Sequence, residues 1–255
     1  MICKGCWDHM RMPTPLRGVA SLPLRLFGIR PSRMNPNTCT LCELGFTRIM
    51  RARQVKVDLT VLFADLRGYT SLSQTLAPDA VSSLLDAFYD ECAEAIWEYD
   101  GILNKTIGDA VMAVFNFPIR HQNHAERAVL AGREIQRRCE ARRAGLLAEG
   151  IGLTGSELGV GIGIDTGLTS FGEFGRSHRD LTAIGTVVNT ASRAQAAAEV
   201  GQILITQAVY ERAGAAVIAS SGRDYSLKGF EDPVHLYSAG SPQSTRALQG
   251  PEGSA

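Results

Sequence analysis

Two aspartates are the leading candidates for metal ligands. Asp65 ends an apolar run that starts at Val57, Asp109 follows a second apolar segment, and each has a glycine close by. If the strands that carry them are neighbours, the two carboxylates meet at one edge of a sheet. Such a pair can hold two divalent cations for phosphoryl transfer, one to activate the attacking oxygen and one to bind the phosphates. The alternatives are a helix cap for Asp65 and a turn aspartate for Asp109.

The residues after Asp65 have the pattern of a phosphate-binding turn. A short polar stretch with a glycine follows the aspartate, and a helical pattern begins at Ser71. Backbone amides at the positive end of a helix can face phosphate oxygens. Asp65 would hold the Mg²⁺ that neutralises those oxygens, and Leu66 is a second candidate residue of this metal site. The amides expected to face the phosphate are those of Leu66, Arg67, Gly68 and Tyr69.

Three further polar residues are candidates for contacts with a bound ligand. Lys105 interrupts an apolar strand four residues before Asp109. Its amine should face a ligand or an interface, because an unpaired buried lysine is costly. Thr182 precedes a predicted helix, where its alternative role is that of a local cap. Lys228 lies beside a glycine near a strand end, where it can contact phosphate or remain solvated.

Asn189 and Arg193 are four residues apart and therefore share one face of a predicted helix. An amide and a guanidinium on one face suit a ribose and a phosphate. The guanidinium can also stabilise charge on the oxygens that are transferred. The alternative is an exposed polar face without a ligand.

The N-terminal part of the chain contains two C-x-x-C pairs, Cys3 with Cys6 and Cys39 with Cys42. Two such pairs are typical of a structural zinc site, and less often of an iron–sulfur or redox site. The gap of 32 residues between the pairs is longer than in the common zinc motifs, and His9 can replace one thiol. The alternative is a partly ordered leader with free thiols.

Hydrophobic periodicity predicts the elements that position these residues. The apolar runs predict strands, and glycines alternating within one of them would let another element approach closely. The elements together predict an α+β fold, one mixed sheet with helices packed on it. The predicted strands cover residues 57–63, 102–115 (a hairpin turning at 108–109), 158–167, 203–206, 225–230 and 234–239. The predicted helices cover 71–99, 124–144 and 186–199, with a loop at 145–157 and a polar, glycine-punctuated excursion at 171–180.

We divide the chain into three parts. Residues 1–55 form a basic leader whose frequent prolines exclude long helices, 56–240 form the domain with the candidate residues, and 241–255 form a disordered tail. Residues 1–56 carry ten Lys or Arg against two acids, a balance of +8 in a chain of zero net charge. Such a leader can contact an acidic surface, lipid headgroups or its own protein, or remain a solvated linker.

Several classes of protein are excluded by the composition. The chain has no run of about 18 apolar residues, so no transmembrane segment is expected. It also lacks the uninterrupted apolar stretch of a secretory signal. Six cysteines do not form a disulfide framework in 255 residues, and Cys92 and Cys139 fall within helical patterns as core thiols. We expect a cytoplasmic protein without a nucleic-acid partner.

Together these residues resemble the class III nucleotidyl cyclases over about residues 56–239. FADLRGYTSL is similar to the first metal motif of that family, and KTIGDAVMAVF to its base-lysine and second metal motif. LTAIGTVVNTASR, residues 181–193, is similar to its transition-state helix. The motifs follow the family's order and spacing. The resemblance implies a ferredoxin-like cyclase fold, in which helices cover a mixed, mostly antiparallel sheet.

The resemblance also implies a homodimer with two sites at its interface. One protomer would supply Asp65 and Asp109 for two Mg²⁺ or Mn²⁺ ions. The other would supply residues for the substrate: Lys105 and Thr182 for the base, Asn189 for the ribose, Arg193 for the transition state and Lys228 for the triphosphate. The implied reaction converts ATP to 3′,5′-cyclic AMP and pyrophosphate.

The base preference can be argued from Lys105. A lysine can interact with the N1 edge of adenine, whereas a guanine site would need a carboxylate to accept from the guanine N1–H and amine. Many family members carry Asp where this chain has Thr182, and the threonine resembles the IIIb adenylyl cyclase subtype associated with bicarbonate stimulation.

The sequence leaves two other functions open. One is a non-catalytic, nucleotide-sensing dimerisation module that kept the fold. The other is a metal or redox switch in the leader with the cyclase as its output. Residues 35–43, NPNTCTLCE, resemble a leader found before some bacterial cyclase domains.

Overall fold

The molecule is built on one mixed β-sheet. The structure, a computed structural model, describes residues 1–52, 54–75, 77–148, 159–175, 180–214 and 222–240. The strands found there are β1 (Val55–Arg67), β2 (Ile102–Ile107), β3 (Ala110–Phe115), β4 (Gly159–Phe174), β5 (Asp180–Ile184), β6 (Ile203–Thr206), β7 (Arg223–Tyr225) and β8 (Val234–Ser238). Their order is β2-β3-β1-β4-β6-β8-β7, and β5 pairs with β4. Among the strands of the described residues, only β4 and β6 pair in parallel, which confirms the predicted mixed, mostly antiparallel sheet.

Helices cover both faces of the sheet. Those in the described residues are α1 (Lys4–Met10), α2 (Leu22–Leu26), α3 (Thr40–Ala52), α4 (Tyr69–Thr75), α5 (Pro78–Glu98), α6 (His124–Ala148), α7 (Thr186–Ala197) and α8 (Gln207–Ala213). On β1, Leu62 and Ala64 pack in the core formed with α5 and α6. Leu59, Val61 and Phe63 pack on the other side, in the core that contains α7. Successive side chains of a strand alternate between faces, so Asp65 lies on the α7 face.

The glycines of β4 admit α7 very closely. A Cβ at Gly163 would lie less than 3.0 Å from backbone atoms of Ala191 and Gln195. Any other residue at this position would therefore push the helix away. The predicted close approach to this strand is confirmed, and the approaching element is the helix that carries Asn189 and Arg193.

Several predicted boundaries are wrong. Strand β1 extends beyond the predicted 57–63, from Val55 to Arg67, because it pairs with β4 over this whole length. A separate helix, α4, begins at Tyr69 rather than at Ser71. The predicted excursion at 171–180 begins inside β4, which runs to Phe174, and ends in β5. Residues 176–179 lie outside the described part of the chain.

Further corrections concern lengths and turns. Helix α6 extends to Ala148 into the predicted loop at 145–157, whose remainder lies outside the described residues. The predicted strand at 225–230 is instead β7, which ends at Tyr225 and is followed by a turn closed by the hydrogen bond from Phe230 N–H to the Leu227 carbonyl. Helix α8 follows β6 directly and was not predicted. The tail at 241–255 is not described.

The leader contains a longer helix than its prolines suggested. Helix α3 has 13 residues. It can form because the last leader proline is Pro36, upstream of its first turn. Met50 of α3 packs in the same core as Phe63 and Phe171 of the sheet. In the described residues, no helix combines the length and apolar character needed to cross a membrane.

Candidate active site

Strand pairing brings Asp65 and Asp109 together. Asp65 lies opposite Ala110 in the β1–β3 register, and Asp109 is in the tight turn just before that residue. The Leu66 N–H donates to the Asp109 carbonyl oxygen over 3.1 Å. The pKa of the Asp65 carboxyl is raised, first by burial and then by the negative charge of Asp109. The charge of Asp109 therefore reaches Asp65 at one end of neighbouring strands.

This pair has the chemistry of a divalent-cation site. Carboxylate oxygens are the donors that Mg²⁺ and Mn²⁺ prefer. Burial and like charge disfavour the ionised form of Asp65, and a bound cation would offset both effects. The donor set thus fits the cations that the resemblance implies.

Two of the residues after Asp65, Leu66 and Arg67, are placed differently from the prediction. The Leu66 N–H is used within the sheet by its bond to Asp109, so it does not face a phosphate. Arg67 belongs to β1, and its guanidinium lies 3.5 Å from the Asp65 carboxylate and donates to the Gln195 carbonyl in α7. Gly68 has a positive φ of 78° at the turn, and Tyr69 is the first residue of α4.

Asn104, which was not predicted as a site residue, connects the strand of Lys105 to Thr182. The Thr182 hydroxyl donates to Asn104 Oδ1 over 3.2 Å, and Asn104 Nδ2 donates to the Leu181 carbonyl over 2.9 Å. Lys105 pairs with Asp180 of β5. The structure thus brings the two predicted base-contacting residues to one place, where β2 faces β5.

The sequence does not identify Asn104 and Asp180 as site residues, for a physical reason. Asn104 looks like an ordinary strand residue, and 75 positions separate Lys105 from Asp180. Burying a lysine without a counter-charge is costly. This cost indicates that Lys105 has an acidic partner, but it does not identify the partner.

Asn189 and Arg193 are both exposed on one face of α7, as their spacing predicted. The opposite face of the helix, with Ala191 and Ala194, is buried against the sheet. The amide and the guanidinium therefore point away from the sheet. Lys228 is exposed in the turn after β7.

The four leader cysteines also converge. The Sγ atoms of Cys3, Cys6, Cys39 and Cys42 all lie within 4.8 Å of one another, and all four residues are buried. His9 is directed elsewhere and contacts the Pro118 carbonyl oxygen over 3.3 Å.

A cavity of about 720 Å³ lies on the other face of the sheet, between α5, α6 and the start of β4. Its walls include Leu66, Phe88, Tyr99 and Val160 but neither candidate aspartate. This cavity is therefore separate from the aspartate pair.

Comparison with known proteins agrees with this arrangement. Residues 52–238 match the family described as the adenylate and guanylate cyclase catalytic domain. The adenylate cyclase of Anabaena cylindrica is 31% identical over 186 residues, which are 70% of this chain and 36% of that protein. Adenylate cyclase 1 of Rhizobium meliloti is 31% identical over 137 residues, 53% of this chain and 20% of that protein. The chain thus spans less than half the length of these relatives.

Two solved structures share the fold of this chain and are slightly more similar in sequence than these two relatives. The adenylyl cyclase CyaB from P. aeruginosa has a TM-score of 0.66 and 33% identity, covering 73% of this chain and 95% of that one. The guanylyl cyclase Cya2 has a TM-score of 0.66 and 32% identity, covering 74% of this chain and 96% of that one. The chain therefore belongs to the adenylate and guanylate cyclase catalytic domain family, the class III nucleotidyl cyclases, as its motifs predicted.

Proposed function

We propose that this chain is an adenylyl cyclase, which converts ATP to 3′,5′-cyclic AMP and pyrophosphate at sites shared by two copies of the chain. The supporting observation is the placement of two groups of residues. Asp65 and Asp109 meet at one end of neighbouring strands, whereas Asn189 and Arg193 point outward from α7. A second copy would bring its outward face to the first copy's carboxylates. Residues 56–240 would form the catalytic domain and residues 1–55 its leader.

Each residue has a role that suits its chemistry. Asp65 and Asp109 would hold Mg²⁺ or Mn²⁺, and the bound cations would neutralise phosphate charge and favour attack of the ribose 3′-oxygen on the α-phosphate. Arg193 would bind the oxygens that gain charge in the transition state. Asn189 would hold the ribose so that its 3′-oxygen lies in line with the phosphorus. Lys228 would bind the triphosphate as an exposed positive charge.

The preference for ATP is argued from the residues at the β2–β5 contact. Both an adenylyl and a guanylyl cyclase are similar to this chain, so these side chains would have to select the base. Lys105 can donate to adenine N1, and the Thr182 hydroxyl can accept from the adenine amine. Asp180, which could accept from guanine, is already paired with Lys105. This pairing leaves a donor and a neutral hydroxyl for the base.

The first experiment identifies the product. Purified protein is incubated with Mn²⁺ and either ATP or GTP, and the product is identified by mass spectrometry. We expect cyclic AMP from ATP and much slower turnover of GTP. Asp65→Ala or Asp109→Ala should abolish turnover without unfolding the protein, and Asp79→Ala, an exposed carboxylate in α5, is the matched control. Cyclic GTP as the main product would contradict the proposed base preference.

The second experiment tests the shared site. Asp65→Ala and Arg193→Ala proteins are each inactive in this proposal, but a mixed dimer contains one site with neither change. Random mixing makes about half of the dimers mixed, with one of two sites intact, so activity should recover to about a quarter of wild type. Isotope-labelled protein and native mass spectrometry confirm that mixed dimers form. Mixed dimers without activity would rule out the shared site.

A further inference from the structure

The leader cysteines are arranged as a four-coordinate site. Sγ–Sγ distances are 3.4 Å between Cys6 and Cys42, 3.5 Å between Cys6 and Cys39 and 3.7 Å between Cys3 and Cys42. A tetrahedral ion with Zn–S bonds of about 2.3 Å separates its sulfur ligands by about 3.8 Å. The four thiols are thus already close to the separations that one zinc ion requires.

The compact arrangement favours a single ion over an iron–sulfur cluster. In a cluster with several irons, cysteines bind different iron atoms and are spread around it. Here all four sulfurs lie within 4.8 Å of one another, which leaves room for one ion at their centre. Four thiolates in a tetrahedral set are typical of structural zinc.

The groups around the four sulfurs also favour metal binding. The backbone N–H groups of Cys6 and Cys39 donate to Cys3 Sγ over 3.3 and 3.2 Å. Such donors stabilise a thiolate and hold it in place for a metal. A Cβ at Gly5 would lie 3.0 Å from Cys42 Sγ, so a side chain there would crowd the sulfurs. In the described residues no other group of this kind is found.

The cysteine pairs are tied to the core of the catalytic domain by the residues beside them. Lys4, between Cys3 and Cys6, donates to both oxygens of the buried Asp100 carboxylate over 2.6 and 2.7 Å. Asn37, just before the second pair, donates to Asp100 and to the Trp97 carbonyl, each over 3.0 Å.

Two more hydrogen bonds extend this contact to the start of β2. Asn35 donates to the Gly101 carbonyl over 2.7 Å, and the Trp97 indole donates to the Met34 carbonyl over 2.7 Å. The leader segment between the two cysteine pairs thus contacts the end of α5 and the residue just before β2.

We propose that Cys3, Cys6, Cys39 and Cys42 bind one zinc ion per chain and that this ion holds the leader against the turn between α5 and β2. The thiols bind as thiolates, and the protons they lose pass to solvent. The site is independent of the base and metal preferences of the cyclase domain, because none of its ligands belongs to the aspartate pair.

Metal content and thiol accessibility in the intact protein give the first test. Protein purified under reducing conditions without a chelator should contain about one zinc per chain and little iron. Alkylation of the four leader thiols, followed by peptide mass spectrometry, should become fast only after a zinc chelator is added. Zinc-free folded protein, iron in place of zinc, or two leader disulfides would each overturn the proposal.

Substitutions give the second test. Cys39→Ser/Cys42→Ser protein should retain less than about a tenth of the wild-type zinc, whereas Cys139→Ser, a thiol in α6 outside the cluster, should retain all of it. Retention of zinc by the double variant would overturn the assignment of ligands. If the double variant does not fold, chelator-dependent alkylation of the wild type still decides the outcome.

Tryptophan fluorescence tests the contact between the leader and α5. The chain has two tryptophans, so a Trp7→Phe variant reports on Trp97 alone. Removing zinc should shift Trp97 emission, because its partner, the Met34 carbonyl, would move away. Asn37→Ala is the matched control: it removes contacts to Asp100 and Trp97 but no thiol, and should keep its zinc. If Trp97 emission does not change when zinc is removed, the ion does not hold the leader in place.

Discussion

The guanidinium of Arg67 lies 3.5 Å from the carboxylate of Asp65, two residues earlier on β1. The same guanidinium donates to the Gln195 carbonyl, so it links the carboxylate end of the strand to α7. Its charge lowers the pKa of Asp65, against the larger effects of burial and of Asp109, which raise it. Arg67 is therefore part of the electrostatics of the aspartate pair.

Removal of this charge should move the titration of Asp65. In Arg67→Met protein the pKa of Asp65 should rise further, because the group that stabilised the carboxylate is gone. Mn²⁺ binding is measured by calorimetry from pH 5 to 8. The pH at which Mn²⁺ begins to bind should be higher in Arg67→Met than in wild type. Arg212→Met is the control, since Arg212 pairs with Asp58 instead. An unchanged pH profile in Arg67→Met would contradict this account.

Asp65 should also make stability depend on pH. Its pKa is higher in the folded protein than in the unfolded chain, so the folded state holds the proton more tightly. The free energy of unfolding should therefore fall as pH rises from the unfolded pKa through the folded one. Urea denaturation without divalent cations should show this fall in wild type and less of it in Asp65→Asn.

Added Mg²⁺ or Mn²⁺ should raise stability most on the high-pH side, where Asp65 is ionised. Stabilisation of the same size in Asp65→Asn would show that the cation binds elsewhere.

The contact between Gly163 and α7 predicts a specific loss of stability. Gly163→Ala places a methyl group against backbone atoms of Ala191 and Gln195, so α7 must shift. We expect the free energy of unfolding to fall by about 2–3 kcal/mol. Cyclase activity should fall more than stability explains, because the helix carries Asn189 and Arg193.

Gly132→Ala is the matched control for this substitution. The added Cβ would lie 3.5 Å from the Ile203 side chain, an ordinary contact, and Gly132 lies within α6. An alanine in a helix is favoured over glycine by up to about 1 kcal/mol, so stability should stay or rise. If the free energy of unfolding falls equally in both variants, the close approach of α7 to Gly163 does not account for the loss of stability.

Lys105 should control base selection. Lys105→Glu replaces a donor with an acceptor, which suits guanine N1–H better than adenine N1. The ratio of kcat/KM for ATP over GTP should drop by at least about tenfold. Asp180→Asn removes the carboxylate beside Lys105 and should leave ATP preferred. An ATP preference that survives Lys105→Glu would exclude the base role of this residue.

Much of the fold followed from local patterns. The hairpin of β2 and β3, the long helices α5 and α6, and the placement of Asn189 and Arg193 on one helix face were all predicted, because periodicity and turn residues act over a few positions. Strand ends were predicted less well. The end of β1 at Arg67 depends on its partner strand β4, about a hundred residues away.

The residue types and their spacing along the chain were enough to identify the two aspartates, the α7 pair and the cysteine pairs as chemically capable groups. Folding added the neighbours: Arg67 beside Asp65, Asp180 beside Lys105, and four sulfurs within 4.8 Å. These contacts join residues on different strands and segments, and their geometry depends on how the whole sheet twists and packs. No short-range pattern encodes that information, so such contacts become visible only when the chain is folded.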